Sequence, residues 1–112
     1  MKVSSLLKNI EYKVDKPAIN VLFETSSSKE IRIVMRKNQV MKKHQTPFPI
    51  VVEIFDGELD FGVEGDVHSL ERGDILALEA NVPHDLMAKT DCIVRLTLSK
   101  SDTLERVKKV VE

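Results

Sequence analysis

Turn residues interrupt this chain at nearly regular intervals, and that punctuation limits its fold more than any other feature. Ala18-Ile-Asn-Val-Leu-Phe23 gives way to the polar Glu24-Thr-Ser-Ser-Ser-Lys29, and Glu30-Ile-Arg-Ile-Val-Met-Arg36 ends at Lys37-Asn38. Ile50-Val-Val-Glu-Ile-Phe55 stops at Asp56-Gly57, a strong hairpin signal. Glu58-Leu-Asp-Phe-Gly-Val63 runs into Glu64-Gly65-Asp66, and Val67-His-Ser-Leu70 precedes Arg72-Gly73-Asp74 and Ile75-Leu-Ala-Leu78. Asp85 to Ala88 and Cys92 to Leu98 supply the last runs. Short β-type segments with turn signals every roughly 8–12 residues predict an all-β sandwich or barrel.

Helical patterning is confined to the ends. Asp102 and Glu105 have capping-box spacing, and Leu104, Val107, Val110 and Val111 recur at helical intervals, so a short C-terminal helix is expected over about 102–111. Ser4-Ser5-Leu6-Leu7-Lys8 is compatible with one further turn of helix. With 112 residues and no linker or low-complexity tract, the expectation is a single domain over 1–112.

Seventeen Lys and Arg against eighteen Asp and Glu leave a net charge of −1, which gives no electrostatic reason to expect a nucleic-acid or anionic-membrane partner. No apolar stretch approaches the roughly 18 residues that span a bilayer, and the N-terminus lacks the apolar core of a signal peptide. A soluble cytoplasmic protein is the expectation. One cysteine, Cys92, excludes an internal disulfide framework and reads as strand packing. No serine stands in a nucleophile elbow, and no glycine-rich phosphate loop is present.

Two of the three histidines stand beside β-type runs: His44, and His84 at the end of Gly73-Asp-Ile-Leu-Ala-Leu-Glu-Ala-Asn-Val-Pro-His84. Together with the Asp-Gly turn, these segments resemble the cupin superfamily of small β-barrels, in the form of a small single-domain member with a degenerate metal motif. The resemblance covers about 38–98. The family pattern Gly-x5-His-x-His-x3-Glu-x6-Gly falls on Asn38, His44, Thr46, Ile50 and Gly57. Gly-x5-Pro-x-Gly-x2-His-x3-Asn falls on Gly73, Glu79, Asn81, His84 and Ala88, with fifteen residues, Glu58 to Arg72, between the motifs. His44, Gly57, Gly73 and His84 match. Asn38 and Asn81 replace glycines with a residue that visits left-handed backbone conformations readily. Thr46 and Ile50 replace a histidine and the glutamate that the family uses as metal ligands.

The resemblance implies a double-stranded β-helix, or jelly roll, with His44 and His84 brought to one interior pocket. Three functions follow as alternatives. The pocket binds a small polar molecule, an organic anion among the candidates, with His44, His84, Thr46, Phe48 and Ile50 as ligand-binding residues. Alternatively, His44 and His84 hold a divalent metal (Fe, Mn, Ni or Zn) in a reduced two-histidine site of an oxygenase or isomerase, with Gln45, Thr46, His68 or water completing the shell. In the third, the histidines serve only the barrel, and the protein is a structural or regulatory dimer. Catalysis is left open. Homodimerisation is expected, with Ala18 to Phe23 adding to a neighbouring sheet.

Glu53 interrupts an apolar run with parity opposite to Ile50, so it points away from the pocket. By the same alternation Asp85 lies on the face opposite His84. Met35, Met41 and Met87 are expected to fill core, although thioethers also suit soft metals. Thr46-Pro-Phe-Pro49 is stiffened by its prolines, and Phe48 is a candidate for the pocket mouth or for a subunit contact.

Overall fold

The computed structural model describes residues 1–100; the expected C-terminal helix lies outside the described residues. Among the described residues nine strands form two antiparallel sheets: β1 (Ala18–Glu24), β2 (Ser28–Met35), β3 (Val40–His44), β4 (Ile50–Asp56), β5 (Glu58–Val63), β6 (Asp66–Glu71), β7 (Ile75–Leu78), β8 (His84–Ala88) and β9 (Cys92–Ser99). One sheet has the order β1-β2-β9-β4-β7 and the other β3-β8-β5-β6. No described residue is helical, and no described helix is long and apolar enough to cross a membrane.

Alternation along the strands builds the core between the sheets. Ile33 and Met35 of β2, Ile50, Val52 and Ile54 of β4, and Cys92 and Val94 of β9 meet Leu59 and Phe61 of β5 and Leu86 and Ala88 of β8. The turn chemistry follows the sequence closely. Glu64 and Gly65 both have positive φ (52° and 83°) between the paired Val63 and Asp66, the backbone of a type I′ hairpin. Asn38 and Asn81, standing where the cupin pattern has glycine, have φ of 73° and 64°. Gly57 has φ of 91°, and a Cβ there would lie 2.3 Å from the Asp91 carbonyl oxygen, so no other residue fits without moving backbone.

The N-terminal residues behave differently from their sequence expectation. Ser5 Oγ accepts hydrogen bonds from the backbone N–H groups of Leu7 and Lys8, but no helical turn forms. The physical reason is Arg32, which is 4% exposed on the outer face of β2. Its guanidinium donates to the carbonyls of Ser5, Leu6, Lys8 and Asn9 and to Asn20 Oδ1, which turns those carbonyls away from a helical ladder. The segment before β1 is thereby strapped across the larger sheet. Ile10 and Tyr12 cover a second small core of Ala18, Val34 and Ile93 there.

Candidate functional site

His44 and His84 come together. They are register partners on β3 and β8, with ring centroids 4.3 Å apart and planes tilted by 59°. Forty residues of sequence separate them, and the pairing of the strand that ends in His44 with the one that begins at His84 closes that distance.

The strand β3 does not reach this pairing by simple alternation. Met41 pairs with Leu86 and His44 with His84, so three steps along β3 match two along β8. The extra residue is a β-bulge, a device that re-aims side chains. A regular strand would send Met41 and His44 to opposite faces; here both reach the cavity between the sheets.

Each imidazole is oriented by its own strand's approach. Nδ1 of His44 lies 2.9 Å from the Lys42 carbonyl oxygen, and Nδ1 of His84 lies 3.0 Å from that of Val82. A carbonyl oxygen only accepts, so each Nδ1 carries the hydrogen and donates it. In a neutral ring the lone pair then resides on Nε2. Phe61 stacks on His84 at 5.5 Å with the planes 5° from parallel, fixing the second ring further. His84 is only 3% exposed. Burial pushes its pKa below the ordinary histidine range; the Val82 hydrogen bond opposes that shift, and the charge of a protonated His44 adds to it.

The two rings line a small cavity of about 20 Å³, room for about one water, with His84 buried and His44 half-buried at it. Met41 shares the lining, and Ile33, Val52, Phe61, Leu86, Val94 and Leu96 complete it. Larger depressions lie on the exterior. One of about 370 Å³ is lined in part by Lys43, Gly62 and Asp85 on the outer side of the smaller sheet, where the Asp85 carboxylate occupies the space a side chain at Gly62 would need.

The remaining sequence candidates do not line the cavity. Thr46 and Phe48 are half-buried in the connection after His44, where the Thr46 hydroxyl donates to the Phe48 carbonyl at 2.7 Å. The Thr46 carbonyl in turn accepts from Asn81 N–H at 2.7 Å, tying that connection to the one leading into His84. Ile50 is buried in the core, paired with Leu78 and Leu98. Gln45 and His68 are exposed, and His68 is paired with Phe61 on the edge strand β6. Glu53 accepts a hydrogen bond from Arg95 at 2.8 Å on the outer face, as its parity required. Met35 is fully buried and Met87 is exposed. Cys92 is buried with its thiol donating to the Glu58 carbonyl, and burial pushes its pKa up, as suits packing.

Sequence parity did not find Met41, because the bulge cannot be read from the pattern, nor the Phe61 stack, which depends on how β5 and β8 align. The inward phase of Leu59, Phe61 and Val63 was the available signal for the latter.

The divalent site of the family needs four donors, and its fit can be judged from the side chains. Among the described residues no three of His, Cys, Asp or Glu gather into a group that would hold a metal ion. Zinc and non-haem iron sites take at least three protein donors, carboxylate or imidazole. The residues present do not fit that arrangement.

No family model and no curated protein matches this sequence. Solved structures do resemble it. An RmlC-like cupin protein from Desulfovibrio desulfuricans aligns with a TM-score of 0.81 at 22% identity, over 88% of this chain and 96% of that one. A protein with a double-stranded β-helix domain from Klebsiella pneumoniae aligns with a TM-score of 0.78 at 19% identity, over 88% and 89%. KdgF from a Halomonas species gives a TM-score of 0.75 at 13% identity, over 93% and 99%. Sharing architecture over almost its whole described length with these proteins, the chain has the fold of the small RmlC-like cupins, a double-stranded β-helix.

Proposed function

We propose that this protein is a binding module that takes the polar head of a small molecule into the cavity between His44 and His84. The observation that carries the reading is the meeting of two imidazoles in an otherwise apolar enclosure, each with Nδ1 committed to a backbone carbonyl and Nε2 left available. Few polar groups on apolar walls is the usual composition of a small-molecule site. A neutral Nε2 accepts a hydrogen bond from a hydroxyl or amide, and a protonated ring donates to an anion. Thr46 and Phe48 are proposed to meet the outer part of the ligand, and Ile50 to back the wall behind them.

The test is a nuclear magnetic resonance titration with glycerol, glycolate and acetate, in the presence of a metal chelator. Saturable shifts at His44, His84 and the cavity methyls with at least one probe, absent from the His44→Ala/His84→Ala variant, are expected. No saturable shift with any probe, or shifts that persist in the double variant, would overturn the reading.

The proposed protein partner is a second copy of the chain. Its support is β1, an edge strand whose Ile19 and Val21 are each 55% exposed although they share the core-facing side of the sheet with Ile33 and Ile31.

A further inference from the structure

We propose that the outer face of the larger sheet carries a site for a phosphate group, in the depression between the N-terminal strap and β1. Arg32 supplies charge there, and Lys8 and Asn20 supply donors. The site lies on the side of the sheet away from the histidine cavity and does not depend on the function proposed for that cavity.

Arg32 is 4% exposed, yet every acceptor its guanidinium meets is neutral: the carbonyls of Ser5, Leu6, Lys8 and Asn9 and the amide oxygen of Asn20. Buried charges are ordinarily paired. Among the described residues no carboxylate forms an ion pair with Arg32. Its register partner on β9 is a second cation, Arg95, and the acids around Arg95 are already engaged. Glu53 accepts from Arg95, and Glu30 accepts from Arg95 and Thr97. Glu30 stands two residues along β2 from Arg32, about 7 Å at strand spacing, too far to pair directly. The strap therefore satisfies the hydrogen bonds of the guanidinium without neutralising it.

A depression of about 510 Å³ opens beside this uncompensated charge. Ser4, Ser5, Lys8, Asn9 and Asn20 line it together with Arg32: two cations, four hydroxyl or amide side chains, and no acid among its walls. The N–H groups of Arg32 are occupied, so the donors come from its neighbours. Asn20 Oδ1 accepts twice from Arg32, which leaves Nδ2 as the end of that amide free to donate. Ser5 Oγ accepts from the Leu7 and Lys8 N–H groups and keeps its own hydrogen to give. The Lys8 ammonium forms no ion pair among the described residues. A phosphate group carries close to two charges and several strong acceptor oxygens near neutral pH, and uses this combination more fully than a carboxylate does. Bound there, it would bridge Lys8 of the strap to Asn20 of β1. Strand pairing at the β1 edge would extend the sheet and leave this face open.

The experiment is thermal unfolding and amide nuclear magnetic resonance of the full chain in inorganic phosphate and in glycerol 3-phosphate, against sodium chloride at matched ionic strength. A saturable rise in Tm beyond that in chloride is expected, with shifts at the Asn20 side-chain amide and at residues 4–9. The response should be unchanged in the His44→Ala/His84→Ala variant. Lys8→Gln alters only an exposed side chain and should weaken binding roughly tenfold or more. Asn20→Asp keeps the acceptor for Arg32, gives it an internal counter-charge and removes the donor. Its Tm in chloride should be no lower than the parent's, while its phosphate response disappears. Tighter binding of the ester assigns the site to an organic phosphate; binding no tighter than that of the ion assigns it to free phosphate. Three outcomes would each overturn the proposal: no saturable response to either phosphate, parental responses in Lys8→Gln and Asn20→Asp, or loss of the response with the two histidines, which would put the anion in their cavity.

Discussion

His84 is buried beside another imidazole and against an aromatic face. Its depressed pKa makes folding stability depend on pH. The unfolded side chain titrates near 6.5, the folded one lower, chiefly because burial disfavours the charged ring. Between those two values the unfolded state binds more protons, so stability rises with pH through the window. The contribution is fully present above about pH 6.5 and is lost as pH falls from there through the folded pKa. Denaturant unfolding at pH 5.5 and pH 7.5 should therefore give a lower midpoint at the acid value, and His84→Gln should flatten the difference. An unchanged slope in that variant would assign the pH dependence elsewhere.

Among the elements, the N-terminal strap has most of its side-chain hydrogen bonds from one residue, with Gln39 donating to the Lys13 carbonyl and Arg36 lying over the Tyr12 ring as further ties. Arg32 is buried with its donors spread over four backbone carbonyls and Asn20, and no carboxylate lies among these acceptors. Removing it leaves several carbonyls without partners and uncovers Val34 and Ile93. Arg32→Ala is expected to cost about 3 kcal/mol in urea unfolding. It should also make residues before β1 sensitive to limited proteolysis at concentrations that leave the parent protein intact. Lysine restores the charge but not the forked geometry, so Arg32→Lys should recover only part of the loss. The cavity histidines lie on the other sheet, and their resonances should be little changed in both variants. Proteolytic resistance equal to the parent in Arg32→Ala would show that Ile10 and Tyr12 hold the strap without the guanidinium.

For the whole molecule the unequal sheets matter. Among the described residues five strands face four, and the terminal strand β1 has Ile19 and Val21 exposed and one backbone edge without a described partner strand. Such an edge is a template for another strand. A second copy pairing there would cover both features. Light scattering at micromolar concentration is expected to give a dimer, and Ile19→Lys/Val21→Lys to give a monomer that keeps its β-sheet circular dichroism. A monomeric parent protein would remove the proposed pairing.

The sequence by itself determined the local conformations. Turn residues, period-two alternation and the tolerance of asparagine for positive φ are short-range effects, and they located eight of the nine described strands or parts of them; β3, Val40–His44, was not among the runs. Asn38, Gly57, Gly65, Gly73 and Asn81 all have the positive φ that their residue types tolerate best, whereas Glu64 takes it against its own preference, beside Gly65 in the turn. The motif resemblance also brought His44 and His84 to one place. Tertiary structure decided what surrounds them. A bulge shifts parity by one residue, so Met41 entered the cavity and a strict count of alternation could not find it. The strap depends on a guanidinium that collects carbonyls from more than twenty residues away. The volume left between the imidazoles is set by how two sheets close on each other, a packing property with no counterpart in any local stretch of the chain.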